Sequence, residues 1–199
     1  RDRSPSRGLG DVYKRQRYND GTWPASRWAE LVWNGASSWY YFNADGYMET
    51  GWLNEGGHWY YLNADGTMKA NEWMIDTDGS VYYFRSWGGA YLNCKARING
   101  RSYTFGADSK VQGSQWVVKG GKWYLVKDGK IATGWQTWDG NKYYMNSDGS
   151  MRSNEWRLDD TGKIRYLCSW GGAYKSRSAK INGRSYTFNS ACLLYTSPS

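Results

Sequence analysis

Taken by apolar and polar positions, the chain is a series of short aromatic runs separated by glycine-bearing turns. The stretch 51–73, GWLNEGGHWYYLNADGTMKANEW, sets the pattern. Trp52 opens a short extended segment, Glu55-Gly56-Gly57 reads as a tight turn, and His58 to Leu62 as the return strand. Asn63-Ala64-Asp65-Gly66 then turns the chain into the next unit. Glycine after Asp or Asn supplies a positive φ without steric cost, and aromatic residues between turns favour extended backbone. Side chains alternate along a strand, so Trp59 and Tyr61 face one way and Tyr60 and Leu62 the other. Both faces are apolar, and a lone hairpin is marginal in water, so each hairpin must find neighbours.

The pattern recurs along the chain. Trp39 to Phe42 precedes Asn43-Ala44-Asp45-Gly46, Val81 to Phe84 follows Asp78-Gly79, and Trp123 to Leu125 follows Gly120-Gly121. Ser86 to Tyr91 reads as a longer connector that interrupts the series, and Asn99-Gly100 as a two-residue hairpin turn. Trp52 and Trp135, Trp73 and Trp156, Trp87 and Trp170, and Asn99 and Asn182 are each separated by 83 residues. A four-hairpin block therefore occurs twice. The expected fold is all-β, a solenoid or superhelix of stacked β-hairpin repeats of about 20 residues, its stability summed over nearest-neighbour contacts. Segment 17–38 is the least regular and is expected to be a degenerate first unit.

Composition modifies this picture in one respect. Leu, Ile, Val and Phe are scarce, but 14 Trp and 18 Tyr supply apolar area while keeping a polar tip, which suits a thin, half-exposed core. No window approaches the roughly 18 apolar residues of a membrane span, so no membrane insertion is expected. The ends need separate treatment. One DNA duplex can encode 192–199 on one strand and, shifted in frame, 9–16 on the other, as a sequencing adapter read through as coding sequence would. Residues 1–16 and 192–199 are accordingly expected to be adapter-derived, with a repeat module at 17–191 cut from a longer gene. Residues 1–16 carry five Lys/Arg and two Asp, so the formal charge of +8 falls to about +5 without them. Cys94 and Cys168 remain, too few for a disulfide framework or a metal cluster.

Catalytic chemistry finds little support in these residues. His58 is the only histidine and adjoins a Gly-Gly turn, and most aspartates fall in turns that explain them. Glu72 and Glu155 recur in Asn-Glu-Trp, but as repeat equivalents they are expected too far apart for a glycosidase pair. The Gly-rich stretches lack the Lys-Ser/Thr of a phosphate loop. No catalytic residue, cofactor or metal is expected, and the scattered charges argue against nucleic acid. The aromatic spacing is more informative. Trp52 and Trp59, like Trp116 and Trp123, lie seven residues apart across a hairpin. Paired strands bring such indoles together, and a tyrosine of the next hairpin can close a third wall. Three π faces around a gap make a cage for a quaternary ammonium.

Gly51-Trp52 with Trp59-Tyr60-Tyr61-Leu62-Asn63-Ala64-Asp65-Gly66-Thr67-Met68 resembles the cell-wall-binding repeat of choline-binding proteins from Gram-positive bacteria, their phages and glucan-binding relatives. Gly134-Trp135 to Met151 is similar, as are Trp39 to Trp52 and, more loosely, Trp116 to Trp135. The resemblance implies ligand sites between consecutive hairpins of a solenoid, in a secreted protein of the cell wall or cell surface. Carried over, one site uses Trp52, Trp59 and Tyr82 with Met68 nearby, and another Trp116, Trp123 and Tyr143. Trp39 and Tyr60 form part of a third, for which Trp33 is out of register as the opening tryptophan. Lys142 replaces the second tryptophan of the Trp135 unit, and Val81 and Arg165 spoil the units that follow, although Trp138 could serve a sugar. The implied partner is choline-decorated teichoic acid or a related wall polymer. The alternatives are an α-glucan, with Asn54, Asn141 and Lys142 as polar contacts, or a spacer or adhesin stalk without a small ligand. Such modules are often joined to wall hydrolases.

Overall fold

The computed structural model describes residues 22, 24–33 and 35–196, so the expected adapter segment 1–16 lies outside the described residues, as do residues 197–199. Every regular element among the described residues is a β-strand, and the strands form eight small antiparallel sheets. The chain divides into two compact units, residues 1–74 with 82–110, and residues 75–81 with 111–199.

The first unit holds the hairpins β1 (Arg27–Trp33) with β2 (Ala36–Phe42) and β3 (Gly51–Glu55) with β4 (His58–Leu62). The next hairpin, β5 (Glu72–Ile75) with β6 (Val81–Phe84), has its tip, residues 75–81, assigned to the second unit. β7 (Cys94–Ile98) and β8 (Arg101–Phe105) complete the first unit. In the second unit β9 (Gln115–Lys119), β10 (Lys122–Lys127) and β11 (Lys130–Ile131) form one sheet. It is followed by the pairs β12 (Gly134–Trp138) with β13 (Asn141–Met145) and β14 (Glu155–Leu158) with β15 (Ile164–Leu167). β16 (Arg177–Ile181), β17 (Arg184–Phe188) and β18 (Leu194–Thr196) end the unit.

Two turn designs account for this series. Most hairpin tips use two residues that both have positive φ, as at Gly56 (59°) with Gly57 (78°) and Asn99 (49°) with Gly100 (81°). That conformation matches the right-handed twist of the flanking strands. The β5–β6 and β14–β15 tips use the connector turn, with Gly79 N–H donating to Asp76 O and Gly162 N–H to Asp159 O. The connector after each return strand is a tight turn in which one residue both receives and donates. In Asn63-Ala64-Asp65-Gly66, the Gly66 N–H donates to Asn63 O at 2.8 Å and the Asn63 N–H to Thr67 O at 2.8 Å. The Asp65 carboxylate fixes the turn by accepting from the Thr67 N–H (3.0 Å) and hydroxyl (2.6 Å).

The segment Ser86 to Tyr91, expected as a longer connector, is this same turn. Gly88 N–H donates to Arg85 O at 2.9 Å and Arg85 N–H to Gly89 O at 2.9 Å. Trp87 takes the place of Asp65, and its indole folds over Gly89, where a Cβ would meet the ring at 2.0 Å. Any larger residue at 89 would force the indole away. Within segment 17–38, expected to be a degenerate unit, residues 27–33 are regular strand. Residues 27–33 pair in continuous register with 36–42, making an intact hairpin with strands two residues longer than those of β3 and β4.

Stacking within each unit is carried by the main chain and by one buried residue per return strand. Met68 N–H donates to Trp39 O (2.8 Å), Ala90 N–H to Trp59 O (2.8 Å) and Met151 N–H to Trp123 O (2.8 Å), each linking the residue after a hairpin to the hairpin before. The final residues of the return strands, Phe42, Leu62, Phe84 and Phe105, are fully buried, as are Met145, Leu167 and Phe188. Leu194 of the expected adapter-derived tail pairs with Phe188, and Cys192 is buried beside Leu167 and Ala173. Cys192 has a φ of 62° at the position that Gly66 fills in its turn, a conformation L-residues disfavour.

Candidate ligand-binding site

The register of each hairpin places its two tryptophans diagonally. In β3 and β4 Trp52 lies opposite Tyr61 and Asn54 opposite Trp59, so Trp52 and Trp59 are diagonal neighbours on one face. Their ring centroids are 6.1 Å apart and their planes 86° apart. Tyr82 of the next hairpin lies 4.7 Å from Trp52, inclined at 64°. Tyr82 is buried, Trp52 half-buried, and Trp59 exposes 40% of its surface. The expected triple is therefore brought together, with one wall firmly packed and one open to solvent.

The second expected triple has the same shape. Trp116 lies opposite Leu125 and Val118 opposite Trp123, giving the same diagonal, with centroids 6.1 Å apart and planes 80° apart. Tyr143 sits 5.0 Å from Trp116. Trp138, named as a possible sugar contact, stands 6.5 Å from Trp116 and packs against the same buried cluster.

The third arrangement gains the member that the spacing hid. Trp28, not Trp33, opens it. Trp28 lies opposite Tyr41 and Glu30 opposite Trp39, reproducing the diagonal, and the Trp28 ring is 4.8 Å from Tyr60. Trp28 was overlooked because it precedes Trp39 by eleven residues rather than seven, the difference being the longer strands of this hairpin. Met68 belongs with this group. Its backbone bonds to Trp39 O and its side chain lies against Gly88. The corresponding backbone donors are Ala90 beside Trp59 and Met151 beside Trp123. Assigning Met68 to the Trp52 site thus placed it one hairpin too far along, since the closing residue comes from the hairpin that supplies the tyrosine.

Carboxylates lie at the rims of two triples. Burial, followed by the charge of Glu55, raises the Tyr60 phenol above its ordinary pKa, and burial followed by Asp139 does the same to Tyr143. Both tyrosines remain neutral at physiological pH, and the adjacent anions favour a cationic guest. Aromatic faces meeting near right angles with an anionic rim can hold a quaternary ammonium by cation–π attraction, worth about 0.5–2 kcal/mol per face.

The remaining hairpins lack such a gap. Trp73 is buried and packed by Tyr83 (4.9 Å), Tyr103 (4.8 Å) and Phe105 (6.3 Å), and buried Val81 stands where a second tryptophan would be. At Trp135 the counterparts of Trp59 and Tyr82 are Lys142 and Arg165, and the Arg165 guanidinium lies 5.7 Å from the Trp135 ring. It is held there by Asp159 at 2.6 Å. Glu72 and Glu155, set aside as catalytic candidates, are engaged in ion pairs, Glu72 with Lys69 and Glu155 with Arg152 and Arg157. Among the described residues no group of three His, Cys, Asp or Glu could hold a metal, and no helix is long and apolar enough to cross a membrane.

Sequence comparison places these hairpins in a class. Residues 33–73 match the choline-binding repeat model and residues 133–151 the putative cell wall binding repeat model. The chain carries repeats of the choline-binding and cell-wall-binding family. Among individual proteins it is similar to glucosyltransferase-I of Streptococcus downei, with 32% identity over 186 residues, covering 78% of this chain and 12% of the relative. Glucosyltransferase-S of Streptococcus mutans shares 30% identity over 156 residues, 75% of this chain and 10% of the relative. The chain thus spans only about a tenth of the length of the curated relatives it matches. Among solved structures, the modular autolysin LytC of Streptococcus pneumoniae in complex with a synthetic peptidoglycan ligand aligns with a TM-score of 0.42 and 28% identity, over 84% of this chain and 38% of that one.

Proposed function

We propose that this chain is a non-catalytic attachment module that binds choline carried on a cell-wall polymer, and that residues 17–191 form the module within a longer, secreted, surface-associated protein. The observation that carries this reading is the recurrence of one aromatic geometry at three places. Trp28, Trp39 and Tyr60, then Trp52, Trp59 and Tyr82, and then Trp116, Trp123 and Tyr143 share the same diagonal and the same tyrosine closure. Each site alone needs only about −4 kcal/mol, a Kd near 1 mM, because several sites on one polymer add avidity. The formal charge of about +5 on residues 17–191 favours an anionic polymer.

A second reading, binding of an α-glucan, is favoured by the similarity to streptococcal glucosyltransferases. In that case the exposed Trp39 and Trp59 act as stacking platforms and the rim carboxylates as hydrogen-bond acceptors. Titrating the full chain with choline and, separately, with a soluble dextran while following tryptophan fluorescence decides between them. A saturable choline response is expected, weakened at one of the three sites in Trp59→Ala with the far-UV spectrum unchanged. Response to dextran alone transfers the sites to carbohydrate, and silence toward both from folded protein overturns both readings.

A further inference from the structure

A second kind of site lies in the first unit, in a groove of about 370 Å³ lined by polar, aromatic and cationic side chains and by no carboxylate. Arg85, Trp87 and Tyr91 come from the turn after β6, and Arg97 and Asn99 from the tip of the following hairpin. The Arg85 guanidinium stacks 4.4 Å from the Tyr91 centroid and 5.5 Å from that of Trp87. Its Nη2 donates to the Cys94 thiol at 3.8 Å, a weak acceptor, and its Nε is buried without an acceptor. The Arg97 Nε donates to Gly100 O at 3.2 Å within its own turn. Among the described residues neither guanidinium meets a carboxylate. A protein that sets two cations around a groove and gives them only π faces, a thiol and a turn carbonyl leaves most of their donors to a guest.

The repeat supplies an independent observation. In the second unit Cys168 stands at the position of Arg85 and Lys180 at that of Arg97. Arg177, the counterpart of Cys94, now places its guanidinium 4.7 Å from Tyr174, the counterpart of Tyr91. Arginine and cysteine have exchanged places between the turn after the return strand and the strand that follows. The cation over this tyrosine is kept while the residue that provides it changes, which is unexpected if the charge were incidental.

We infer that the groove of Arg85 and Arg97 binds an anionic saccharide, its phosphate or carboxylate group taken by the two guanidiniums and its ring stacked on the exposed face of Trp87. A guanidinium presents parallel donors that match both anions. Trp87 is 44% exposed and lies 5.9 Å from Tyr60, so it joins the groove to the aromatic triple that Tyr60 completes. A polymer bearing a cation and an anion on neighbouring groups can fill both. The groove stands on its own residues and does not require the choline reading.

The test follows the Trp87 indole N–H resonance of the full chain, assigned through Trp87→Phe, during titration with glucose-6-phosphate, glucuronate and glucose. Both charged sugars, or the phosphate alone, shift the resonance saturably, and choline does not displace them. A response to the phosphate alone assigns a phosphate-bearing ligand, and a response to both assigns the anionic sugar generally. Arg97→Gln, at an exposed position outside the packing, weakens the response about tenfold, as expected for loss of a charge-assisted bond. Lys95→Gln, an exposed cation of the same strand that does not line the groove, leaves it unchanged. An equal shift with neutral glucose, an equal loss in Lys95→Gln, or an undiminished response in both Arg97→Gln and Arg85→Lys overturns the inference, as does no shift at all. A groove response without a choline response leaves this inference standing and removes the cage reading alone.

Discussion

The Trp52 and Trp135 hairpins occupy the same position in the two copies of the repeat, yet one holds an aromatic triple and the other an ion pair. Their frameworks agree closely. Trp52 lies 5.3 Å from Tyr61 and Trp135 lies 5.3 Å from Tyr144. Ala90 N–H donates to Trp59 O at 2.8 Å, and Ala173 N–H donates to Lys142 O at 2.7 Å. What differs is the lining. Where Tyr82 closes on Trp52, Arg165 is buried, anchored on Asp159 and hydrogen-bonded to Ala191 O, with its guanidinium over Trp135. The hairpin scaffold therefore does not depend on Trp59 or Tyr82, the two walls that change between the copies. At Trp135 an internal cation stands in place of the closing tyrosine, and its cation–π attraction to the indole serves stability.

The largest effects should come from the tryptophans at the centre of the comparison. Both pack against buried clusters, Trp52 on Met74, Tyr82, Phe84 and Ala90, and Trp135 on Leu167 and Ala173. Trp52→Ala and Trp135→Ala should each cost about 2–4 kcal/mol in denaturant unfolding, somewhat below the cost for a fully buried indole. Only Trp52→Ala should also remove a choline site. Equal losses of binding in the two variants break the distinction drawn here. The reciprocal change is the sharper test. Lys142→Trp combined with Arg165→Tyr rebuilds the aromatic triple in the second copy, and equilibrium dialysis should find one additional choline per chain. An unchanged stoichiometry means that register and residue type together do not define the cage.

Much of this was legible in the sequence, for reasons that particular residues make plain. Asn-Gly, Gly-Gly and Asp-Gly pairs dictate positive φ, so the hairpin tips and the strand register follow from them, and register then fixes which tryptophans are diagonal. Spacing failed where strand length changed. Trp28 serves β1 as Trp52 serves β3, but two extra residues per strand conceal the equivalence. Trp87 was hidden because it replaces an aspartate in an otherwise unchanged turn, and only the bare surface of Gly89 lets its indole lie flat. Position by position, the exchange of Arg85 and Cys94 for Cys168 and Arg177 is two mismatches between the copies. In space it is one substitution of supplier, which no single column can reveal.

A smaller effect is expected at the exposed wall. Trp59 is 40% exposed, so on the choline reading Trp59→Ala should weaken choline at its site by roughly fivefold, the loss of one cation–π face, with unfolding nearly unchanged. At the matching position Lys142→Ala should alter neither. A large loss of stability in Trp59→Ala would show that this indole is part of the core and not an open wall.

The smallest effect distinguishes the two places by pH. Asp159 is held below the usual carboxylate range, chiefly by the Thr161 hydroxyl, with the Lys163 N–H and Arg165 adding to it against the opposing cost of burial. A lowered folded-state pKa contributes stability that is complete above the unfolded value, about 3.9, and is lost as pH falls through the folded value. Asp78, lowered to about 2 mainly by its bond from the Ser80 N–H, titrates in the same acid window. Asp159→Asn should therefore flatten part of the decline in stability below about pH 4, leaving the share due to Asp78. The Trp52 triple contains no carboxylate, so its choline affinity at about pH 4, where the protein is still folded, should be unaffected by Asp159→Asn. Loss of the acid dependence together with a change in that affinity would mean that Asp159 acts on the aromatic site as well as on Arg165.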